Sequence, residues 1–485
     1  MGYPEELKNK IDDNFEDQMD TLKELVAIES VVTDSCTSES GEEMPFGEGV
    51  QKAFEYVLEK GASFGFETDR AGNYGGHLET GGYEKNETMG IVCHLDTVPV
   101  GSDWTYDPLG CRTEDGKIYG RGTNDDKGPA VAALYAMKAI GDCGIDLPCR
   151  VRLILGLDEE TDWVGMEKYL EEIEAPDYGF TPDADFPAIN GEKGIMVFDI
   201  ARKFGKTTGE GLALRSMKGG TAANMVASDA RAVVNSKKPE IYEKIKEHAS
   251  EWESTKGIHV NVRPTGKSLE ITAKGVSVHG ARPDLGINAI SVLMEFLGTL
   301  SFVNDDVNDF IEFYNRHIGT ETDGSSLGCR MEDEESGATV VNIGMIQMDT
   351  KAARLTVNVR YPISCTDEQV YRGLEDVCEK YNMGIVKGKH EKPIFIPETD
   401  PLIRTLMAVY REHTGDQESR PPVIGGGTYA RAFDNVVAFG ARFPGDEDVA
   451  HQKDEYITVD NFRKITHIYA DAIYRLAKGE DSNGL

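Results

Sequence analysis

Short clusters of histidine and acidic residues in this chain could hold a metal ion. His94 and Asp96 are separated by one residue, and on a strand such side chains lie on the same side of the backbone. One can then bind a metal while the other orients it. The three adjacent acids at positions 158–160 repel one another, and a cation or a shared proton would explain them. Taken alone, each cluster is better explained as a loop-stabilising pair or an exposed acidic turn.

Three further sites extend this set along the chain. A glycine-lined turn at 120–128 carries two acids directly before a predicted helix, Asp183 lies in a turn-rich stretch, and His451 follows a glycine-rich loop. Imidazole and carboxylate ligands together suit a pair of divalent ions that share one carboxylate. No cysteine lies among these residues, which argues against a closed structural zinc site.

The elements around the first clusters are typical of an α/β sheet. Apolar runs at 89–93 and 151–157 predict two buried strands, and each is followed directly by ionisable residues. Between them, the segment 129–140 predicts a helix that begins at a proline. In open α/β sheets, ligands bind beyond the carboxyl ends of the strands. The histidine and the acids are therefore expected at one edge of a sheet.

The middle of the chain has a different pattern. Alternating apolar and polar residues predict strands at 269–275, 340–346 and 354–360, with helices at 288–300 and 368–381. This is a two-layer α+β pattern. We therefore predict one α/β domain in two sequence pieces, split by an inserted α+β domain. The predicted divisions are listed in chain order: 1–193, 194–392 and 393–485.

The composition excludes several classes of function. Among 485 residues, 51 Lys and Arg stand against 85 Asp and Glu, a net charge of −34 that repels a nucleic-acid backbone. The first residues show no export signal, and no apolar stretch approaches the roughly 20 residues that span a bilayer. The eight cysteines form no C-x-x-C pair. We expect reduced thiols and a cytoplasmic location.

Taken together, the ordered motifs resemble those of the M20 family of di-zinc peptidases. The match runs over nearly the whole chain, and chance agreement of so many ordered motifs is implausible. The motifs that carry the resemblance are His94-Leu-Asp96, Gly120-Arg-Gly-Thr-Asn-Asp-Asp-Lys-Gly128, Asp158-Glu-Glu160, Asp183, His279 within Gly-Val-Ser-Val-His-Gly, and Ala450-His-Gln-Lys-Asp-Glu455.

The resemblance implies a role for each residue of the metal centre. His94 and Asp183 would hold one ion, Glu160 and His451 the other, and Asp125 would bridge both. Asp96 would orient His94, and Glu159 would be the general base that takes a proton from a metal-bridging water. The resemblance also implies a cis peptide bond between Asp125 and Asp126. The fold implied is a di-zinc catalytic domain with an inserted lid domain.

The inserted domain would supply groups that recognise the substrate. The resemblance offers His279 as a donor to the tetrahedral oxyanion. Arg360 is predicted to grip the free carboxylate of a dipeptide, although a solvated cation at a strand end is the alternative. Asn224 and the backbone N–H groups around Gly426 and Gly427 could complete the cradle. Asp126 is considered as a partner for the free amino group.

The resulting hypothesis is a zinc-dependent dipeptidase that hydrolyses unblocked dipeptides and acts as a monomer. A second hypothesis keeps the metal centre but makes the substrate an N-acyl amino acid, so that the enzyme would be a deacetylase or desuccinylase. A third is a non-catalytic protein whose acids hold calcium or cationic partners, but Glu159 is present beside every predicted ligand. The ligand types accept zinc, manganese or cobalt. No nucleic acid or membrane is expected as a partner.

Overall fold

The computed structural model describes residues 4–38, 40–82, 84–206, 210–257 and 259–479. The chain divides into two units, each with its own core of buried apolar side chains. Unit 1 comprises Met1–Gly191, Phe395–Val423 and Gly427–Leu485. Unit 2 comprises Glu192–Ile394 and Ile424–Gly426.

Eleven α-helices lie in the described residues: α1 (Glu5–Asp13), α2 (Phe15–Val26), α3 (Glu48–Ser63), α4 (Lys127–Asp142), α5 (Val164–Glu172), α6 (Pro239–Lys256), α7 (Ala289–Leu297), α8 (Asp305–His317), α9 (Asp367–Lys380), α10 (Pro401–Thr414) and α11 (Val459–Lys478). Two short 3₁₀ helices span Pro283–Leu285 and Tyr429–Ala432. No helix in the described ranges is long and apolar enough to cross a bilayer.

The strands of the same ranges are, in chain order, β1 (Cys36–Thr37), β2 (Glu43–Met44), β3 (Glu67–Ala71), β4 (Gly75–Gly81), β5 (Thr88–His94), β6 (Arg112–Glu114), β7 (Lys117–Tyr119), β8 (Arg150–Gly156), β9 (Tyr178–Thr181), β10 (Ala184–Asp185), β11 (Gly191–Glu192), β12 (Gly194–Lys203), β13 (Leu212–Gly219), β14 (Asp229–Ser236), β15 (Val260–Thr265), β16 (Ser268–Lys274), β17 (Glu332–Asp333), β18 (Gly337–Ala338), β19 (Val340–Asp349), β20 (Ala352–Tyr361), β21 (Gly384–Glu391), β22 (Ile394–Phe395), β23 (Val423–Ile424), β24 (Val436–Ala438), β25 (Ala441–Arg442) and β26 (Tyr456–Thr458).

Unit 1 is built on a six-stranded sheet in the order β24-β9-β5-β8-β4-β3. The first four strands run parallel, and β4 and β3 are antiparallel additions at one edge. Every residue of β5 is buried, and so are six of the seven in β8, as expected for parallel strands covered on both faces. The predicted strands and the predicted helix α4 are thereby confirmed.

Unit 2 is built on an eight-stranded sheet in the order β15-β16-β14-β13-β19-β20-β12-β21, in which every neighbouring pair is antiparallel. Helix α7 packs on β14 and β16, and α9 on β21. The amide side chain of Asn288 accepts a hydrogen bond from the N–H of Ile290 at 2.9 Å and so caps α7. This α+β arrangement agrees with the predicted strands and helices of the middle segment.

The unit boundaries differ in detail from the predicted divisions. They fall after Gly191 and Ile394, two residues from the predictions in each case. The segment Ile424–Gly426 groups with unit 2, whereas the prediction placed it in the last catalytic piece, 393–485. The cause is backbone bonding, because the N–H of Lys193 donates to the carbonyl of Ile424 at 2.9 Å.

Candidate metal centre

Three parallel strands of unit 1 end beside one another and bring ionisable residues to one edge of the sheet. His94 is the last residue of β5, the acids 158–160 follow β8, and Asp183 lies two residues after β9. Because β5 pairs with both β8 and β9, these three chain positions are neighbours in space. The expected placement at the carboxyl ends of the strands is confirmed.

Two loops complete the cluster. Asp125 lies two residues before α4, and His451 lies five residues before β26. Strand β26 pairs with β7, which leads into the Asp125 loop, so the two loops share one small sheet. Asp125 and Asp126 are joined by a cis peptide bond, as the resemblance implied.

The carboxylate of Asp125 lies between two imidazoles. Its Oδ1 is 3.0 Å from Nε2 of His94, and its Oδ2 is 2.9 Å from Nε2 of His451. Oε1 of Glu160 is 2.7 Å from the same His451 nitrogen, and Oδ2 of Asp183 is 3.8 Å from Nε2 of His94. The five residues predicted as ligands are thus brought together in unit 1, with Asp125 at the centre.

Two groups of these side chains have the spacing that a metal ion requires. One comprises His94, Asp125 and Glu160, and the other comprises His94, Glu159 and Asp183, with the ligand atoms of each group within 4.8 Å of one another. Nitrogen and carboxylate oxygen donors together suit zinc, manganese or cobalt. The second group contains Glu159, so the position of this residue is compatible both with a metal ligand and with a general base.

The electrostatics of the cluster favour bound cations. Burial raises the pKa of Glu159, Asp183 and Glu160 above the usual carboxyl range, and neighbouring carboxylates add to the rise. Burial lowers the pKa of His451, but Asp125 and Glu160 outweigh it and raise the value to about 11. Burial alone would raise the pKa of Asp125, but the imidazoles of His451 and His94 hold it below its usual range. Four carboxyl groups thus share the cluster with two imidazoles, and a bound cation would relieve the repulsion among the carboxylates.

Asp96 connects His94 to the acids after β8. Nδ1 of His94 lies 3.0 Å from the carbonyl oxygen of Asp96 and 3.4 Å from its carboxylate. The same carboxylate accepts hydrogen bonds from the N–H groups of Glu159 and Glu160, at 3.1 and 3.0 Å. Asp96 is fully buried, so it fixes the backbone from which both glutamates project.

Asp158 has a different environment from the two acids that follow it. Its carboxylate accepts from the N–H of Gly165 at 2.9 Å and from the hydroxyl of Tyr429 at 3.1 Å. Burial raises the pKa of Asp158 to about 6. The ring of Tyr429 also lies 5.2 Å from that of Trp163, whose indole N–H donates to the carbonyl of Glu159 at 2.7 Å. These contacts shape the loop after β8, and the sequence assigned no role to them.

Asp126 does not have the position considered for it. The side chain is fully buried, and Oδ2 accepts a hydrogen bond from the N–H of His94 at 3.1 Å. Burial also raises the pKa of Asp126 to about 8. The suggestion that it meets a substrate amino group is therefore wrong, because its carboxylate is turned to the backbone beneath the site.

Two buried side chains that the sequence did not single out lie next to the Asp125 loop. Glu455 accepts hydrogen bonds from that loop and forms an ion pair with Arg121. Lys127 is 1% exposed and donates from Nζ to the carbonyls of Leu25 and Ile28 at 3.1 and 2.6 Å. The sequence signal was present for both, since Lys127 and Glu455 lie inside the motifs quoted for the resemblance.

The candidate substrate residues lie in unit 2, except Gly427. Arg360, the second-last residue of β20, has a buried side chain, 4% exposed, so the alternative of a solvated cation is wrong. Its Nε donates to Oδ1 of Asn358 at 2.9 Å, and its Nη1 donates to the carbonyl of Gly425, next to Gly426. The structure thus brings Arg360 beside the glycine-rich segment that was predicted to accompany it.

Asn224 and His279 also come together within unit 2. The N–H of Gly280 donates to the carbonyl of Asn224 at 2.6 Å, and Met225 forms a β-bridge with His279. The amide of Asn342, on β19, donates to the carbonyls of Ala223 and Met225 at 2.9 Å each. His279 is exposed on this braced loop.

Comparison with protein families agrees with this site. The profile of peptidase family M20/M25/M40 matches residues 90–475, which include every residue of the metal cluster. The chain belongs to this family. Peptidases of the M20 family are metal-dependent, and the two side-chain groups described above give this member possible metal positions.

Relatives of this M20 family member cover almost its full length. A protein from Staphylococcus haemolyticus named "putative dipeptidase" is 37% identical over 97% of this chain and 99% of its own. Human carnosine dipeptidase 1 has a TM-score of 0.54 at 18% identity, covering 98% of this chain and 99% of the human one. A dipeptidase from Saccharomyces cerevisiae has a TM-score of 0.57 at 12% identity, covering 97% of this chain and 98% of its own. At these identities the two structures show a shared fold.

Proposed function

We propose that this protein is a metal-dependent dipeptidase that hydrolyses unblocked dipeptides. The observation that carries the proposal is the carboxylate of Asp125, held between the imidazoles of His94 and His451, with Glu159 and Glu160 fixed beside it by Asp96. The name of the staphylococcal relative, which covers nearly the whole chain, supports dipeptides as the substrate class.

Two divalent ions fit the donor set and the excess negative charge. We assign His94 and Asp183 to one ion, Glu160 and His451 to the other, and Asp125 to both. Zinc is the metal we propose, with manganese or cobalt as replacements, since imidazole and carboxylate ligands accept all three. When bound, such ions would lower the pKa of a water molecule and polarise the scissile carbonyl group.

Glu159 is proposed as the general base and Asp96 as the residue that orients His94. A carboxylate in this place takes a proton from the attacking water and delivers it to the leaving amine, so that no covalent intermediate is needed. The raised pKa of Glu159, caused mainly by burial, suits a group that must both accept and release a proton. The bond from the Glu159 N–H to Asp96 fixes the base relative to His94.

Unit 2 is proposed as the lid that recognises the substrate. Arg360 would bind the free carboxylate as a bidentate guanidinium, with Asn224 and the N–H groups of Gly426 and Gly427 beside it. His279 would donate to the oxyanion. The bonds of Arg360 to Asn358 and Gly425 support this assignment, because they fix the orientation of the guanidinium in advance.

Three finer assignments accompany this proposal. Within the M20 family, we place the chain beside the bacterial dipeptidase PepV, on motifs such as Glu160-Thr-Asp-Trp-Val-Gly165 and Gly425-Gly-Gly-Thr-Tyr-Ala-Arg431. All eight cysteines are free thiols, which supports a reducing, cytoplasmic location. We also propose a monomer that supplies its own His279.

The test separates the base from the ligands. Glu159→Gln is expected to retain two zinc equivalents and to lose about 100- to 10,000-fold in kcat for Leu-Leu, because only the proton acceptor is removed. His451→Ala is expected to lose zinc as well as turnover. Metal content after dialysis and initial rates with Leu-Leu measure the two effects. Equal zinc loss in both variants, or a Glu159→Gln enzyme with normal turnover, would refute the division of roles.

A further inference from the structure

A single carboxylate joins the two loops that carry Asp125 and His451. Glu455 is fully buried, and its Oε1 accepts hydrogen bonds from the N–H groups of Gly122, Asn124 and Asp125 at 3.0, 2.9 and 3.2 Å. Its Oε2 accepts from Nη1 of Arg121 at 2.6 Å. Both oxygens therefore accept hydrogen bonds from the loop 121–125, and one of the N–H donors belongs to Asp125 itself.

The backbone of Glu455 is fixed on the same loop. Its carbonyl accepts from the N–H of Gly120 at 2.9 Å, and the next residue, Tyr456, pairs with Tyr119 in the β26–β7 ladder. His451 lies four residues earlier on the same turn. The turn is held at its other side by Asp454, whose carboxylate accepts from the N–H and hydroxyl of Thr105 at 2.7 and 2.9 Å.

We propose that Glu455 is a positioning residue that sets the distance between Asp125 and His451 and thereby the zinc affinity of the site. The Glu455 carboxylate lies on the His451 turn, and the groups that donate hydrogen bonds to it lie on the Asp125 loop. A displacement of either loop therefore breaks several charge-assisted bonds together. Partners that orient metal ligands in this way typically change metal affinity by about 10- to 100-fold when they are altered.

The chemistry of the pocket requires a carboxylate and not merely a polar group. Three backbone N–H groups donate to Oε1 of Glu455, and the Arg121 guanidinium donates to Oε2. Each oxygen therefore faces hydrogen-bond donors. A glutamine in its place would turn an NH₂ group either to Arg121 or to the N–H cluster. Glu455→Gln therefore preserves size but leaves a donor facing a donor, whichever way the amide is oriented.

A second buried ion pair in unit 1 provides the matched control. Nε of Arg152 on β8 donates to Oε2 of Glu79 on β4 at 2.9 Å, and Nη2 lies 2.7 Å from the same oxygen. The two side chains are 9% and 13% exposed. This pair links two strands of the sheet, and among the described residues it has no hydrogen bond to the loops of Asp125 and His451. Glu79→Gln thus tests the loss of a buried charge pair without displacement of Asp125 or His451.

The experiment measures zinc binding to the full chain without substrate, by competition with a chromophoric chelator. The inference rests on the proposed two-ion site, but its readout does not depend on turnover. Glu455→Gln is expected to weaken zinc binding by about 10- to 100-fold, and Glu79→Gln to leave it within about threefold of wild type. Wild-type zinc affinity in Glu455→Gln, or equal weakening in both variants, would overturn the proposal.

A second variant keeps the test decisive if Glu455→Gln does not fold. Arg121→Met retains the Glu455 carboxylate but removes its guanidinium partner, and we expect at least about threefold weaker zinc binding. Unchanged affinity there would overturn the proposal as well. A wild-type chain that binds no zinc would instead refute the proposed metal centre, and so the two failures are distinguishable.

Discussion

At the scale of single residues, adjacent acids have separate environments because each contacts a different part of the fold. The sequence predicts that the acids 158–160 cannot all point the same way, and the structure confirms this. Asp158 bonds to Gly165 and Tyr429, whereas the N–H groups of Glu159 and Glu160 bond to Asp96. The motifs suggested the residue types of the proposed metal site, but the contacts that separate these acids depend on distant residues packed against them.

His77 is the residue for which a pH effect on stability is best defined. Its side chain is 5% exposed, and its Nδ1 lies 2.9 Å from the hydroxyl oxygen of Tyr169. Burial and the nearby Arg152 lower the pKa of His77 to about 4. The neutral ring is therefore preferred in the folded state, whereas the unfolded chain takes up the proton near pH 6.5.

The unfolding free energy is therefore expected to fall as the pH drops from about 6.5 towards 4. Between pH 7 and pH 5, His77 should account for a loss on the order of 2 kcal/mol. His77→Asn removes this titration and retains a polar atom for Tyr169. Urea denaturation of both proteins at the two pH values measures the difference. Parallel losses in wild type and variant would show that His77 does not titrate with a lowered pKa.

At the scale of elements, buried strands and amphipathic helices were predictable because their apolar periodicity is local. The predicted run at 89–93 lies within β5, and the run at 151–157 matches β8 except for its last residue. The position of the ligand loops was not predictable in the same way. Asp125 and Glu455 are 330 residues apart in the chain, and the pairing of β26 with β7 and the hydrogen bonds of Glu455 bring their loops together.

The N-terminal end of α4 is closely packed against the Asp125 loop. A Cβ atom on Gly128 would lie 2.0 Å from the carbonyl oxygen of Thr123, so an alanine must displace the loop. We expect Gly128→Ala to lower the unfolding free energy by about 1–3 kcal/mol and to weaken zinc binding. Thermal unfolding and chelator competition measure the two effects.

Gly141 offers a control in the same helix. A Cβ atom there meets no other atom within 4 Å, and alanine favours the helix by about 0.5–1 kcal/mol. Gly141→Ala should therefore be slightly stabilising and should bind zinc normally. Equal unfolding free energy and equal zinc binding in Gly128→Ala and Gly141→Ala would contradict the close packing of Gly128 against the Asp125 loop.

At the scale of the whole molecule, two periodicities in one chain predict two kinds of unit. The continuous apolar runs of the parallel sheet and the alternating runs of the antiparallel sheet are distinct in the sequence. The grouping of Ile424–Gly426 with unit 2 was not predictable, because it depends on backbone bonds to Lys193 and on Arg360. A local pattern of three residues contains no information about such distant partners.

The enzyme must also recognise the groups at both ends of its substrate. A dipeptidase requires a free amino group and a carboxylate at a fixed distance, whereas a deacylase requires a blocked amine. A site that pairs polar groups of its substrate discriminates strongly against analogues that lack them. Substrate preference therefore tests the proposed function of the chain as a whole.

The most direct measurement is hydrolysis of Leu-Leu, Leu-Leu-Leu and N-acetyl-Leu at equal concentrations. The chelated enzyme is reloaded with zinc or manganese, and unreloaded enzyme serves as the control. We expect kcat/KM for Leu-Leu to exceed the other two by at least about 100-fold, with activity dependent on the added metal. Preference for N-acetyl-Leu would contradict the dipeptidase proposal and make the enzyme a deacylase of the same family.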